Sequence, residues 1–211
     1  MTGAPIGIEH AALEALRLLA LLDKLRELGL NQRQQACALA TIIGRMAPPG
    51  SERATNKWLR KSSAIGELLG IDFGALSDMA LYRASDQLFQ HKRVLAAPIF
   101  ATAQTLFDLQ PVVTLYDLTN TYFEGHVAAQ PKAKRGHSKQ KRQDAPLLTL
   151  GAVVDGSGFL KRPEIFPGNV VEAKTLATML AARKAPKGGI VVMDRGLATD
   201  ANLAWLRYGA G

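Results

Sequence analysis

The sequence predicts a mixed α/β protein in which an all-helical region comes first and a mixed sheet follows. Two observations support this prediction. Leucines recur at helical spacing near the start of the chain, and runs rich in β-branched residues begin only after residue 110. The chain is therefore expected to divide into an N-terminal helical region, residues 1–110, and an α/β domain, residues 111–211.

Capping residues and breaks set the expected bounds of the helices in the first half. Gly29 is suited to end a helix, Asn31 to begin one, and the Pro48–Gly50 segment to separate two. The expected helices run from about Glu9 to Leu28, Asn31 to Arg45, Ser51 to Arg60, 75 to 90 and 92 to 107.

The second half alternates strands and helices. The order is a strand ending at Asp117, a hairpin of two strands, a helix, a short strand and a last helix, which is the opening of a ribonuclease-H-like fold. In that fold the fourth strand lies beside the first and parallel to it. The later elements are expected at 147–154, 159–166, 172–184, 190–193 and 200–208.

Composition indicates a globular protein with a polyanionic partner. Hydrophobic residues make up 47%, and the net charge is +8. Residues 1–110 hold 12 Lys and Arg against 10 Asp and Glu, whereas residues 111–211 hold 14 against 8, so the excess lies in the second half. A single cysteine, Cys37, and the absence of a signal-peptide pattern or a long apolar segment favour a cytoplasmic protein outside the membrane.

Asp117 and Asp194 are the candidate catalytic and metal-binding residues. Each follows an apolar run, where an aspartate is often only a turn or capping residue. If the two strands adjoin, however, the two carboxylates face one another at the usual position of a site in an open sheet. A hard divalent cation such as Mg²⁺ or Mn²⁺ relieves the repulsion between such carboxylates.

A basic run follows the first strand. Although charge runs are often only solvated loops, this one lies between two strands near the expected site, which favours contact with nucleic-acid phosphates. The candidate DNA-binding residues are Lys132, Lys134, Arg135, Lys139, Lys141 and Arg142.

Four segments resemble the conserved blocks of bacterial insertion-sequence transposases of the DDE type, in the same order. They are residues 116–125, with the sequence YDLTNTYFEG, 136–139 (GHSK), 166–169 (FPGN) and 192–196 (VMDRG). The resemblance implies a ribonuclease-H-like core, two divalent metal ions, and transposition by hydrolysis and strand transfer at the terminal repeats of double-stranded DNA. Asp117 and Asp194 match the first two acids. The segment Pro49–Glu52 is similar to the N-terminal region of that family, which makes the helical region, residues 1–110, a candidate DNA-binding region.

The third acid of that family, a glutamate, lies well beyond the second aspartate, and no glutamate follows Asp194 here. The chain is therefore expected to resemble a transposase truncated before its third catalytic acid, to self-associate and to be inactive in DNA cleavage. Two alternatives stay open: a catalytically inactive DNA-binding remnant that regulates transposition, and a ribonuclease-H-like nuclease of another kind.

Overall fold

The computed structural model describes residues 6–77, 79–109, 113–124, 127, 130–136, 144–180 and 188–208. The chain divides into two compact units, Met1–Leu106 and Phe107–Gly211. The first unit is helical where it is described, and the second contains a four-stranded mixed sheet. The predicted fold class, a helical region followed by a mixed α/β sheet, is confirmed.

The first unit is built on a central apolar helix. That helix, α3, buries most of its apolar residues, among them Ala38, Ala40 and Ile43, and the other helices pack around it. The helices are α1 (Ile6–Leu18), α2 (Leu21–Glu27), α3 (Gln32–Met46), α4 (Glu52–Lys61), α5 (Ile65–Leu69), α6 (Met79–Gln90) and α7 (Lys92–Leu106), with a 3₁₀ turn at Phe73–Ala75.

Two of the helices in this unit begin at a capping side chain, and the first of these caps, Asn31, was predicted. The Asn31 side chain accepts a hydrogen bond from the Gln34 backbone N–H at 3.0 Å, and the Gln34 side chain accepts one from Asn31 N–H at 2.9 Å. This reciprocal capping box satisfies two backbone donors at the start of α3. Ser51 Oγ accepts from Ala54 N–H at 3.2 Å at the start of α4.

The single helix predicted over Glu9–Leu28 is wrong, because the chain breaks it into α1 and α2. Ala20 adopts a left-handed conformation with φ of 55°, which interrupts the helical hydrogen bonding. The bend lets Leu13 of α1 and Leu25 of α2 both face the core, where they are 3% and 1% exposed. Tertiary packing thus overrides local helical propensity. Gly29, with φ of 79°, follows α2 as predicted.

The sheet of the second unit has the strand order β3-β2-β1-β4. β1 is antiparallel to β2 and parallel to β4, so the fourth strand lies beside the first as predicted. The bounds of the elements are β1 (Val113–Tyr122), β2 (Leu147–Asp155), β3 (Leu160–Pro167), a 3₁₀ turn (Glu172–Lys174), α8 (Thr175–Leu180), β4 (Ile190–Met193) and α9 (Asp200–Tyr208).

Two predicted bounds in this unit are wrong. β1 was expected to end at Asp117 but continues to Tyr122, because its ladder with β2 extends to the pair Tyr122↔Leu147. The helix expected over 172–184 begins instead as a 3₁₀ turn, and its α-helical part is described only from Thr175 to Leu180. Residues 181–184 of that prediction lie outside the described residues.

One face of the sheet forms the core of this unit. β2 alternates strictly between buried and half-buried residues, as a sheet with one packed face does. The packed face joins α8 and the segment after β4 through the buried residues Tyr116, Leu118, Val153, Leu176, Met179 and Leu197.

β4 is an edge strand in the described part of the sheet, and its apolar residues are only partly covered. Ile190 is 55% exposed and Val192 is 48% exposed. An unpaired edge with exposed β-branched residues favours pairing with another strand. None of the described helices is long and apolar enough to cross a membrane.

Candidate metal centre and nucleic-acid interface

Asp117 lies on the face of β1 that points away from the core. Its neighbours Tyr116 and Leu118 are each 2% exposed and pack against the core cluster, whereas Asp117 is exposed. Successive residues of a strand point to opposite faces, so burial of Tyr116 and Leu118 directs Asp117 outward. β1 is flanked by β2 and β4. The backbone at Asp117 pairs with β2 on one side, and on the other side it lies next to the end of β4.

Asp194 follows the last residue of β4 directly. The parallel register pairs Tyr116 with Met193, so the next residue of each strand is one of the two aspartates. Neighbouring strands lie about 4.8 Å apart, which brings the two backbone positions close together. The predicted juxtaposition of the two strands is therefore present, although Asp117 lies in the middle of β1 rather than at its end.

The segment after Asp194 is fixed by a buried leucine and an asparagine. Leu197 N–H donates to the Asp194 carbonyl oxygen at 3.0 Å, and the Leu197 side chain is 1% exposed. Asn202 Nδ2, on α9, donates to the carbonyl oxygens of Leu197 at 2.7 Å and of Ala173 at 2.8 Å. Thr199 Oγ1 accepts from Asn202 N–H at 3.3 Å at the start of α9. Asn202 thereby ties the Asp194 segment to the turn before α8.

We expect Asn202→Ala to lower the free energy of unfolding by about 1–3 kcal/mol, because it leaves two carbonyl oxygens without their donor. Chemical denaturation followed by circular dichroism measures the change. Asn169→Ala is the matched control, since Asn169 is exposed, and it should change the value by less than about 0.5 kcal/mol. Equal effects of the two substitutions would contradict the bridging role of Asn202.

A buried hydroxyl pair lies beneath Asp117 on the core side of β1. The Tyr116 hydroxyl and Thr175 Oγ1 are 2.6 Å apart, and Thr175 Oγ1 also lies 2.6 Å from the Glu172 carbonyl oxygen. Burial raises the pKa of Tyr116, and the Glu172 and Asp117 carboxylates raise it further, while the Thr175 hydrogen bond opposes the change. Tyr116 therefore stays protonated at neutral pH and joins β1 to α8. Sequence reasoning missed this pair, because nothing in the local pattern links residues 59 positions apart.

The start of the basic run lies at the end of the sheet where β1 ends. The backbone of Lys134 forms a β-bridge with Leu147, and Lys132 Nζ donates to the Ile165 carbonyl oxygen at 2.6 Å. Lys132, Lys134 and Arg135 are exposed. Leu147 pairs with Tyr122, which is five residues beyond Asp117 and thus about 17 Å further along the strand. Lys139, Lys141 and Arg142 lie outside the described residues.

Two of the segments that resemble transposase blocks pack backbone against backbone. A Cβ atom at Gly136 would overlap the carbonyl group of Gly168, and one at Gly168 would overlap the carbonyl oxygens of Leu147 and Lys134. Gly168 N–H donates to the Lys132 carbonyl oxygen at 3.1 Å. These glycines let the start of the basic run lie directly on the turn after β3. The sequence signal for this contact was only the presence of a glycine in each block.

The two aspartates fit part of a magnesium or manganese coordination shell. Carboxylate oxygens are the ligands that these ions prefer, and Mg²⁺ commonly retains several water molecules beside one or two carboxylates. Within the described ranges, no three or more His, Cys, Asp or Glu side chains form a group that could hold a metal ion. Comparisons with models of protein families, with curated proteins and with solved structures found nothing similar to this chain.

Proposed function

We propose that the second unit belongs to a DNA transposase of the DDE type, with Asp117 and Asp194 as two of its metal ligands. The observation that supports this most directly is the register Tyr116↔Met193, since Asp117 is the next residue of β1 and Asp194 directly follows the end of β4. The proposed substrate is double-stranded DNA at the ends of an insertion sequence, and the proposed compartment is the cytoplasm.

The proposed chemistry uses two exposed carboxylates, Asp117 on β1 and Asp194 directly after β4. Two carboxylates brought together there would repel each other, and a divalent cation would relieve that repulsion. One or two bound Mg²⁺ or Mn²⁺ ions would supply charge stabilisation and an activated oxygen nucleophile for phosphodiester cleavage. Asp117 is positioned by the ladders on β1, and Asp194 by the buried Leu197 and by Asn202.

The choice of DNA as the substrate is supported by three exposed basic side chains, those of Lys132, Lys134 and Arg135. They lie at the end of the sheet toward which β1 and β4 both run. A duplex that contacts them through its phosphates is held at the same end of the sheet as the Asp194 segment. Such contacts contribute affinity that depends on salt and is independent of base sequence.

We expect the chain to bind Mn²⁺ weakly. The single substitutions Asp117→Asn and Asp194→Asn should each reduce that affinity by about tenfold or more, because each removes one of few protein ligands. Electron paramagnetic resonance of free Mn²⁺ measures the binding. Asp200→Asn is the matched control, since Asp200 is exposed in the first turn of α9. Equal affinity of Asp194→Asn and Asp200→Asn would refute the metal site.

A second measurement separates the transposase from the DNA-binding regulator that remains as the alternative. Supercoiled plasmid carrying the terminal repeats is incubated with the chain and Mn²⁺. Nicking that disappears in Asp194→Asn supports a nuclease or transposase site. Specific binding of the repeats without nicking, together with Mn²⁺ affinity that does not depend on Asp117 or Asp194, favours the regulator.

A further inference from the structure

The two aspartates of the proposed metal site lie just beyond the ladder that joins their strands. The last pair of the parallel ladder between β1 and β4 is Tyr116↔Met193, and Asp117 and Asp194 are the next residues. The sheet brings the two backbone positions together, but Asp194 already lies outside β4. The separation of the two carboxylates therefore depends on what holds the segment after β4 relative to β1.

On the side of Asp117, two buried hydroxyl groups connect β1 to a turn. Thr175 Oγ1 donates to the Glu172 carbonyl oxygen at 2.6 Å, and a carbonyl oxygen can only accept. The one hydroxyl hydrogen of Thr175 is thereby used, so the Tyr116 hydroxyl, 2.6 Å away, donates to Thr175 Oγ1. Tyr116 is 2% exposed and Thr175 is 1% exposed, so water does not compete for the bond between them.

On the side of Asp194, one amide group makes the corresponding connection. Asn202 Nδ2 donates to the Leu197 carbonyl oxygen at 2.7 Å and to the Ala173 carbonyl oxygen at 2.8 Å. An amide nitrogen carries two hydrogens, so it can satisfy both acceptors at once. Leu197 N–H in turn donates to the Asp194 carbonyl oxygen at 3.0 Å. The segment after β4 is thus joined to the residue that follows Glu172.

Both connections end on the 3₁₀ turn Glu172–Lys174, which we call the 172–174 turn. The Glu172 carbonyl oxygen accepts from Thr175, and the next carbonyl oxygen, that of Ala173, accepts from Asn202. The Thr175 backbone N–H also donates to the Glu172 carbonyl oxygen, which closes the turn. Consecutive peptide groups of a closed turn move together. The 172–174 turn therefore holds β1 and the segment after β4 at one separation.

We propose that Thr175 is a positioning residue of the metal site, and that the 172–174 turn sets the separation of Asp117 and Asp194. The proposal rests on the proposed function for the identity of the metal ligands. Thr175 acts through Tyr116, the residue before Asp117 in β1. Groups that hold metal ligands in place commonly contribute about ten- to hundredfold to metal affinity.

A buried hydroxyl pair can also serve stability alone, and the two roles predict different results. If the pair of Tyr116 and Thr175 only stabilises the fold, its loss leaves the separation of Asp117 and Asp194 unchanged in chains that remain folded. If the pair positions the site, its loss changes that separation in the folded chain. The separation itself is therefore the quantity to measure.

A disulfide between the two positions measures their separation without metal. Adjacent positions on neighbouring strands lie about 4.8 Å apart, within the range of about 4.4–6.8 Å between Cα atoms that a disulfide spans. The substitutions Asp117→Cys and Asp194→Cys are made together in the full chain, with Cys37→Ala to remove the native thiol. The chain is equilibrated with reduced and oxidised glutathione in EDTA. The equilibrium gives the effective concentration of one thiol at the other.

Thr175→Val, which keeps the shape of the side chain without its hydroxyl, should lower that effective concentration by about tenfold, the factor that corresponds to one lost hydrogen bond. Thr175→Ser keeps the hydroxyl and should stay within about threefold of the reference. Tyr116→Phe removes the other partner of the bond and should match Thr175→Val. Leu176→Val is the matched control, because Leu176 is the next residue of α8 and is 0% exposed. It should keep the reference value. Circular dichroism establishes which variants are folded.

The proposal is overturned if Thr175→Val and Tyr116→Phe leave the effective concentration unchanged. Equal losses in Thr175→Val and Thr175→Ser, or in Thr175→Val and Leu176→Val, would also overturn it. So would unfolding of both Thr175→Val and Tyr116→Phe, which would assign the hydroxyl pair to stability, or a reference chain that forms no disulfide.

Mn²⁺ titration of the chain with its aspartates intact separates this proposal from the proposed function. If Thr175→Val weakens the disulfide but the unsubstituted chain binds no Mn²⁺, the metal site is refuted and the role of the 172–174 turn stands. If Mn²⁺ binding depends on Asp117 and Asp194 while Thr175→Val changes neither the disulfide nor the Mn²⁺ affinity, the metal site stands and the positioning role of Thr175 is refuted.

Discussion

Replacing Gly168 by alanine is expected to lower the free energy of unfolding of the second unit by about 2–4 kcal/mol, the range of severe packing and backbone strain. Gly168 is buried, and a Cβ atom there would overlap the carbonyl oxygens of Leu147 and Lys134. Both are backbone atoms that form the bridge between Lys134 and Leu147, so neither moves aside without breaking that bridge. Urea denaturation followed by tryptophan fluorescence measures the loss.

The control for Gly168→Ala is Gly196→Ala. Gly196 lies in the same unit, its φ is not positive, and no atom lies within 4 Å of the position of an added Cβ. This substitution should change stability by less than about 0.5 kcal/mol or raise it slightly. If Gly168→Ala proved as mild as Gly196→Ala, the close contact between the basic run and the turn after β3 would be wrong.

The second large effect is expected at Glu9, a fully buried residue of α1. Its Oε2 atom accepts a hydrogen bond from Ala64 N–H at 2.7 Å, at the start of α5, while Oε1 has no hydrogen-bond partner. Glu9→Ala removes the acceptor of a buried backbone donor and leaves a cavity. We therefore expect a loss of about 2–4 kcal/mol in the free energy of unfolding.

Two further variants separate the causes of the Glu9 effect. Glu9→Gln keeps one oxygen acceptor and the same volume, so it should retain most of the stability that Glu9→Ala loses. Glu14→Ala, on the same helix, removes only an exposed ion pair with Arg17 and should cost about 0–1 kcal/mol. Thermal denaturation of the three variants ranks them. An effect of Glu14→Ala as large as that of Glu9→Ala would show that α1 does not depend on the buried carboxylate.

The sequence was sufficient to predict the features that depend on local pattern. Helix starts at Asn31 and Ser51 follow from side chains that accept hydrogen bonds from backbone donors three residues away. The short strand Ile190–Met193 was visible as an apolar run between a glycine break and Asp194. The pairing of that strand with β1 was predicted because the order of elements matches the opening of a ribonuclease-H-like fold, in which the fourth strand lies beside the first.

Features that depend on distant partners were missed. The true end of β1 is set by its ladder with β2, whose far end is the pair Tyr122↔Leu147. The contact of Gly136 with Gly168 and the bond of Glu9 to Ala64 also join segments far apart in sequence.

The pairing of β4 with β1 also has a consequence for the order of folding. It joins Tyr116 to Met193, which lie 77 positions apart in the chain, and β4 offers only four residues to the ladder. Closing so long a loop loses chain entropy before the few contacts of a short parallel strand are gained. The hairpin of β2 and β3 closes only a short loop, so it can form earlier. We therefore expect Asp117 and Asp194 to come together late in folding. Amide hydrogen exchange in β4 should be faster than in the centre of β2. The two proposed metal ligands can then separate while the β2–β3 hairpin stays folded.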